Sequence, residues 1–251
     1  MNSNSEKKLK INAVIQARMG STRLPGKAMK DLLGKPMLER VIDRVKMAGF
    51  VNDVIVACTV CDEDMAIVDF CKKKGVNFFR GSEEDVLDRY FQTLMKFPCD
   101  AIVRITSDCP LIDPEVIDQG IKEFLAGQPD LEYVSNAFLV NSFPRGLDIE
   151  VIKSETLAKL WEIDTNPLWR EHVTLFIEKH PESFKTKNIA HSTDLSKERW
   201  TVDTTEDFKL VQKIFQHFGE THFSWKNVLE ILDQNPNWRE INKTIKQKKI
   251  D

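Results

Sequence analysis

Residues 11–27 read Ile-Asn-Ala-Val-Ile-Gln-Ala-Arg-Met-Gly-Ser-Thr-Arg-Leu-Pro-Gly-Lys, and the two halves of this stretch make different demands on the chain. Ile11 to Ala17 is short, apolar and rich in β-branched residues, the pattern of a strand. Gln16 to Lys27 then places three cations, Arg18, Arg23 and Lys27, among Gly20, Ser21, Thr22 and Gly26. Such cations neutralise a polyanion, and small residues let backbone N–H groups approach phosphate oxygens. A nucleoside triphosphate suits both. The stretch is not a P-loop, whose pattern is G-x-x-x-x-G-K-[ST]. Five residues separate Gly20 from Gly26, Ala28 stands where a magnesium-binding hydroxyl belongs, and Pro25 removes a backbone donor. The competing reading is an ordinary solvated basic loop, because exposed Lys and Arg are common.

Outward from this stretch the pattern alternates between strand and helix. Pro36 to Ala48 carries Met37, Leu38, Val41, Ile42 and Val45 on one helical face and is predicted to stop at Gly49. Asp53 to Thr59 reads as a second strand, Asp62 to Lys74 as a helix ending at Gly75, and Val76 to Phe79 as a short third strand. Ser82-Glu83-Glu84-Asp85 resembles a capping box opening a helix through Lys96. Asp100 to Thr106 is a fourth strand and Pro114 to Ala126 another helix, with Asp113 as its N-cap. Strands joined by helices of this length imply right-handed crossovers and a mostly parallel α/β sheet. Ligands bind such sheets beyond the carboxyl ends of the strands.

The second half is less regular. Strands are predicted at Glu132–Asn136, Leu147–Ile152, Ser183–Ala190 and Arg199–Val202, and helices at Ser154–Ile163, Pro167–His180, Thr205–Phe218, Ser224–Leu232 and from Pro236. Lys246 to Lys249 are expected to fray. With no repeat and no linker-like stretch, the 251 residues are expected to form one domain, with the regular sheet over residues 10–130, the irregular part over 131–200 and closing helices over 201–251.

Composition narrows the class. Thirty-six Lys and Arg nearly balance 39 Asp and Glu, so the net charge of -3 gives no sequence-independent grip on a nucleic acid polymer. No apolar run reaches the roughly 18 residues of a membrane span. The polar opening Met1 to Lys10 lacks a signal-peptide core, and five cysteines is an odd number, so a cytoplasmic protein with reduced thiols is expected. Cys58 and Cys61 have C-x-x-C spacing without a second ligand pair, which favours packing over zinc or redox chemistry.

Two further strand ends carry carboxylates. In Thr106-Ser107-Asp108-Cys109-Pro110 the Asp108 carboxylate stands at the binding edge of the sheet, where one such group can hold Mg²⁺ together with phosphate and water. Asp203 closes Trp200-Thr201-Val202-Asp203, and either shares that metal or caps the next helix. Asp148 and Glu150 alternate along a predicted strand, which gives them one face, either in the cleft as acceptors of a substrate proton or in solvent. Arg145 either binds a carboxylate or is exposed. The apolar stripe through Leu160, Trp161, Leu168, Trp169, Val173 and Phe176 reads first as core.

The segment Gln16 to Lys27 resembles the signature of nucleotide-sugar cytidylyltransferases, which activate acidic sugars such as sialic acid and Kdo as CMP conjugates. The likeness is nearest to the SpsF-type subfamily named for spore coat polysaccharide biosynthesis. It rests on R-G-S-E-E-D-V-L-D-R-Y (80–90), R-I-T-S-D-C-P-L-I-D-P (104–114), Y-V-S-N (133–136), F-P-R-G-L-D-I-E-V (143–151), R-E-H-V-T (170–174) and R-W-T-V-D-T (199–204), in order and across about residues 10–215.

The resemblance implies a GT-A-like, Rossmann-related nucleotidyltransferase fold with an inserted acceptor and dimerisation region. It implies that Gln16, Ala17, Arg18, Met19, Gly20, Ser21, Arg23 and Lys27 meet the nucleotide, together with Arg80, Gly81, Asp85, Asp88, Arg89, Thr106 and Ser107. It gives Asn136, Arg145, Asp148, Glu150, Arg170 and His172 to the acceptor, and Asp108 and Asp203 to Mg²⁺. Arg18, Lys27 and Asp108 are then the catalytic residues, CTP and a small acidic sugar the substrates, and a homodimer the expected assembly. The competing classes are a nucleotidyltransferase using another NTP, a glycosyltransferase of the same fold, and a catalytically silent binding subunit. Asp108-Cys109-Pro110 does not supply the D-x-D motif that a glycosyltransferase would show.

Overall fold

A computed structural model describes residues 8–247 of the chain, so the expectations for residues 1–7 and for Lys248 and Lys249 lie outside the described residues. β1 (Ile11–Gln16) is buried on both faces. Its near-continuous apolar run matches that position, since a parallel strand between two layers of helix meets no water on either side. β2 (Asp53–Thr59), β3 (Asn77–Gly81) and β4 (Ala101–Thr106) run parallel to it. They are linked through α1 (Met37–Val45), α2 (Met65–Lys74) and α3 (Val86–Lys96), and α4 (Pro114–Ala126) follows β4.

Beyond α4 the sheet changes character. β5 (Tyr133–Ser135) and β6 (Glu150–Lys153) pair antiparallel, β6 runs antiparallel to β4, and β7 (Thr186–Asn188) adds parallel to β5. The order across the seven strands is β3-β2-β1-β4-β6-β5-β7. The chain therefore winds one way from β1 to β3 and resumes with β4 on the other side of β1. That switch point opens a crevice at the carboxyl ends of β1 and β4, where an α/β sheet binds its ligand.

Two cores sandwich the sheet. Ile11, Ala13 and Ile15 pack with α1, α2 and α4, and with α8 (Thr205–Phe218) and α9 (Trp225–Gln234). On the other face Val14, Ala57, Ile102 and Ile152 pack with Leu87 and Tyr90 of α3. The same core takes Leu157 and Leu160 of α5 (Ser154–Ile163) and Ile177 of α7 (Leu175–Lys179). The Tyr90 hydroxyl donates to the carbonyls of Val14 and Ile105, which ties α3 to the two strands flanking the crevice.

Five expectations of the sequence are revised. The helix predicted over Pro167–His180 is two, α6 (Pro167–Glu171) and α7, broken where Val173 adopts φ 62°. Val173 is buried and the Thr174 hydroxyl donates to Glu150, so tertiary contacts outweigh a periodicity that continues through the break. Arg199–Val202 is extended but is not a strand. The Trp200 N–H donates to the Arg145 carbonyl and the Val202 N–H to the Asp108 carbonyl, so its partners are loops. The N-cap of α3 is Asp85, which accepts from the Asp88 N–H, while Ser82 supports Asp85 from one turn earlier. α1 ends at Val45, before Gly49. Gln247, expected to fray, accepts a hydrogen bond from Arg199.

Asp113 shows how far one cap extends. Its carboxylate accepts from the Glu115 N–H at the start of α4 and from the Trp225 N–H at the start of α9, and it faces the buried Arg44 guanidinium at 3.4 Å. Burial lowers the Arg44 pKa to about 10 despite Asp113. Asp113→Ala would remove two caps and leave a buried cation uncompensated, so urea unfolding should show a loss of about 3–5 kcal/mol.

Candidate active site

The loop after β1 is built to hold a fixed shape. The Met19 carbonyl accepts from both the Ser21 and Gly26 N–H groups, and the Met19 N–H donates to Asp64. Asp64 is buried and also accepts from the N–H and hydroxyl of Thr59 at the end of β2. Gly26 takes φ 69°, a left-handed conformation that glycine adopts without a steric penalty, and so turns Lys27 back toward the strand ends.

Lys27 reaches the far side of the crevice. Its ammonium donates to Asp108 Oδ2 at 2.8 Å, to Asp203 Oδ1 at 2.9 Å and to the Val202 carbonyl at 2.9 Å. Asp108 Oδ1 accepts from the Thr106 hydroxyl at 2.6 Å. Asp203 Oδ2 faces Arg23 at 2.9 Å and Arg199 at 2.8 Å. Burial alone would lower the Lys27 pKa, but the two carboxylates outweigh it and hold the ammonium above its ordinary value. Burial likewise pushes Asp108 up, yet Lys27 and the Thr106 hydroxyl hold it below the usual carboxylate range. Lys27 and Asp108 therefore face one another as an ion pair at neutral pH.

Asp203 is delivered by a second fixed turn. Gly146 has φ 103°, and a Cβ there would lie 2.7 Å from the Thr201 nitrogen, so only glycine allows this loop to lie against residues 199–202. Asp207 is buried, bonds Arg199 through both oxygens, and caps α8 with Thr204. The helix-capping role considered for Asp203 thus belongs to Thr204 and Asp207.

These elements enclose a cavity of about 590 Å³ at the switch point. Of the residues expected at the nucleotide, Gln16, Ala17, Arg18, Ser21, Arg23 and Lys27 line it, as do Arg89, Thr106, Ser107 and Asp108. Arg145, Asp148 and His172 line it from the acceptor set, and Asp203 completes the metal pair. Three buried polar atoms of these residues have no partner among the described residues, Gln16 Oε1, Arg89 Nε and Asp148 Oδ1. Burial pushes the Asp148 carboxyl up, against the Gly146 N–H that it accepts from.

The remaining expected residues sit behind the wall. Met19 and Gly20 shape the loop, and Gly81 ends β3. Arg80 donates to the carbonyls of Thr59, Val60 and Cys61. Asp85 pairs with Arg170 at 2.8 Å, and Asp88 accepts from the Trp161 indole. The buried Asn136 side chain bonds the backbone of Leu147 and Ile149. Glu150 starts β6 and pairs with Arg104 at 2.5 Å.

Sequence reasoning missed Arg104, Cys109, Glu171 and Thr201, all of which line the cavity. Arg104 carried a readable signal: a cation two residues before Thr106 on a strand shares the face of Thr106 and therefore of the site. Asp108 at the end of β4 and Asp203 at the end of an extended segment supply hard oxygen donors, which suits Mg²⁺, an ion that takes one or two carboxylates and completes its shell with phosphate and water. Among the described residues no group of three His, Cys, Asp or Glu is placed to hold a metal. The five cysteines are unpaired, and burial pushes Cys58 up to about 11 and Cys71 up to about 12, as inert packing thiols would be.

Comparison with known proteins agrees with this geometry. A family model described as cytidylyltransferase matches residues 12–249. The spore coat polysaccharide biosynthesis protein SpsF of Bacillus subtilis is 32% identical over 231 residues, which cover 89% of this chain and 94% of that protein. The 3-deoxy-manno-octulosonate cytidylyltransferase of Geobacter metallireducens is 37% identical over 120 residues, 47% of this chain and 46% of its own. The solved structure of a cytidylyltransferase from Leptospira borgpetersenii superposes with a TM-score of 0.90 at 36% identity, covering 95% of this chain and all of that one. The match includes every strand end that lines the cavity, and the chain belongs to the cytidylyltransferase family, with the GT-A-like fold of a nucleotidyltransferase and its likeness to the SpsF type.

Proposed function

We propose that this enzyme transfers CMP from CTP to a small acidic sugar and releases pyrophosphate. The observation that carries the reading is the Lys27 ammonium set between Asp108 and Asp203 inside a cavity that Arg18 and Arg23 also line. A triphosphate needs several cations at fixed positions, and a phosphoryl donor needs its metal-holding carboxylates beside them. CTP is favoured among nucleotides by the family, and an acidic sugar by the half-length likeness to an enzyme named for 3-deoxy-manno-octulosonate.

In this reading a hydroxyl oxygen of the sugar attacks the α-phosphorus of CTP. The new O–P bond forms as the bond to pyrophosphate breaks, and the hydroxyl proton passes to the Asp148 carboxylate. Arg18, Arg23 and Lys27 neutralise the triphosphate, with Lys27 nearest the phosphates that gain charge. Arg145 and His172 face the sugar's acidic group. Asp148 is a better partner for the attacking hydroxyl than Glu150, because Glu150 is held by Arg104 and Thr174 while Asp148 lines the cavity. Mg²⁺ held by Asp108 and Asp203 would, when bound, neutralise the charge shared by nucleotide and acceptor.

Pyrophosphate release measured with each of the four NTPs and a panel of sugar acids should select CTP and should stop on chelation of divalent cations. Turnover with UTP or GTP alone would overturn the base assignment. Lys27→Ala and Asp108→Asn should each lower kcat by about 10²-fold or more. Asp148→Asn should lower kcat while leaving CTP affinity, read by calorimetry, at the wild-type value. Glu150→Gln should instead show its main effect as a lower unfolding midpoint, because its partner Arg104 is buried with it.

A further inference from the structure

We propose that the Lys27 ammonium and a divalent cation are alternative occupants of the Asp108–Asp203 pair, so that the metal binds only with a triphosphate that draws Lys27 away. The inference deepens the proposed function and rests on its triphosphate.

Every oxygen of the two carboxylates already has a partner. Asp108 Oδ1 takes the Thr106 hydroxyl, and Asp203 Oδ2 takes Arg23 and Arg199. The two oxygens that remain, Asp108 Oδ2 and Asp203 Oδ1, are the two that Lys27 bridges. A metal ion shared by these aspartates needs those same oxygens. An ammonium in contact with both would then sit against a divalent cation with no anion between them, and the repulsion excludes joint occupancy.

The lysine is equally committed. An ammonium has three donors, and here all three are placed, on Asp108, on Asp203 and on the Val202 carbonyl. Lys27 therefore cannot reach a phosphate without giving up at least one of these bonds. The triphosphate offers the ammonium a stronger anion than either carboxylate, and the departure of Lys27 frees the two inward oxygens together. One movement of a flexible four-carbon stem thus exchanges a resident monovalent cation for a divalent one. The Arg199 guanidinium stays, because Asp207 holds it from behind.

Mn²⁺ alone is the probe, read by the loss of its free-ion electron paramagnetic resonance signal. Wild-type protein without nucleotide should bind no Mn²⁺ that Asp108→Asn abolishes. Lys27→Met without nucleotide should bind Mn²⁺ at least about tenfold more tightly than wild type, the scale of an ordinary coupling between sites. Adding Asp108→Asn to Lys27→Met should remove the gained site, and Mn²⁺ should raise the Tm of Lys27→Met but not of wild type. Nucleotide-free wild type binding Mn²⁺ as tightly as Lys27→Met, at a site lost in Asp108→Asn, overturns the proposal. Should Lys27→Met fail to fold, any Mn²⁺ that nucleotide-free wild type binds and Asp108→Asn loses overturns the proposal, and Mn²⁺ bound only once CTP is added, again lost in Asp108→Asn, supports it. Failure of the nucleotide reading has a different signature: CTP then brings no Mn²⁺ onto the wild-type protein, while Lys27→Met still gains its site.

Discussion

A single ammonium joins the three parts of this molecule that chemistry requires together. Lys27 belongs to the loop after β1, Asp108 to the end of β4, and Val202 and Asp203 to an extended segment that pairs with no strand. None of the three is near another in sequence. Each is presented by a separate rigid device: the Met19 carbonyl and Asp64 for the loop, the sheet for Asp108, and for Asp203 both the close approach of Gly146 to Trp200 and Thr201 and the hydrogen bond to Asp207. The lysine does not create these positions, but they are compatible with one another only while a cation lies between the carboxylates. Two ionised aspartates facing one another in a partly buried crevice repel unless something positive separates them.

Charge is accordingly arranged in layers. Asp203 faces Lys27, Arg23 and Arg199, and Arg199 is in turn balanced by the fully buried Asp207. On the cavity floor the Arg104 cation is neutralised by Glu150, which Thr174 also holds. Burial would depress Arg104, but Glu150 outweighs it and keeps the guanidinium charged. The net charge of -3 is the residue of these local pairings and says little about the field a ligand meets.

The sequence announced the parallel half of the sheet well, because β1, β2 and β4 are covered on both faces and their apolar runs have only one comfortable setting. The helix opened by Asp113 was legible from its local cap, whereas the cap of α8, sought at Asp203, is Thr204. The site loop was legible from its mixture of cations and small residues, and Asp108 from its place just beyond a strand. What escaped was set by long-range contact. The break at Val173 lies inside an unbroken apolar stripe, and residues 199–202 look like a strand whose partners happen to be loops. Arg80, Asp85, Asp88 and Arg170 stand in the motifs of the family yet bond to backbone and to one another behind the cavity wall. A motif marks what must be kept, and a support for the wall is kept as firmly as the wall itself.

The late arrival of Asp203 has a consequence for how the protein is made. Lys27 and Asp203 lie 176 positions apart, so their contact forms only after most of the chain has left the ribosome and the intervening strands have found their places. Contacts of such separation come late in folding, because the loop they close must first be ordered. A nascent chain ending before Asp203 presents its basic loop without half of the acidic pair meant to face it. The contact between Lys27 and Asp203 is thereby reserved for the finished molecule.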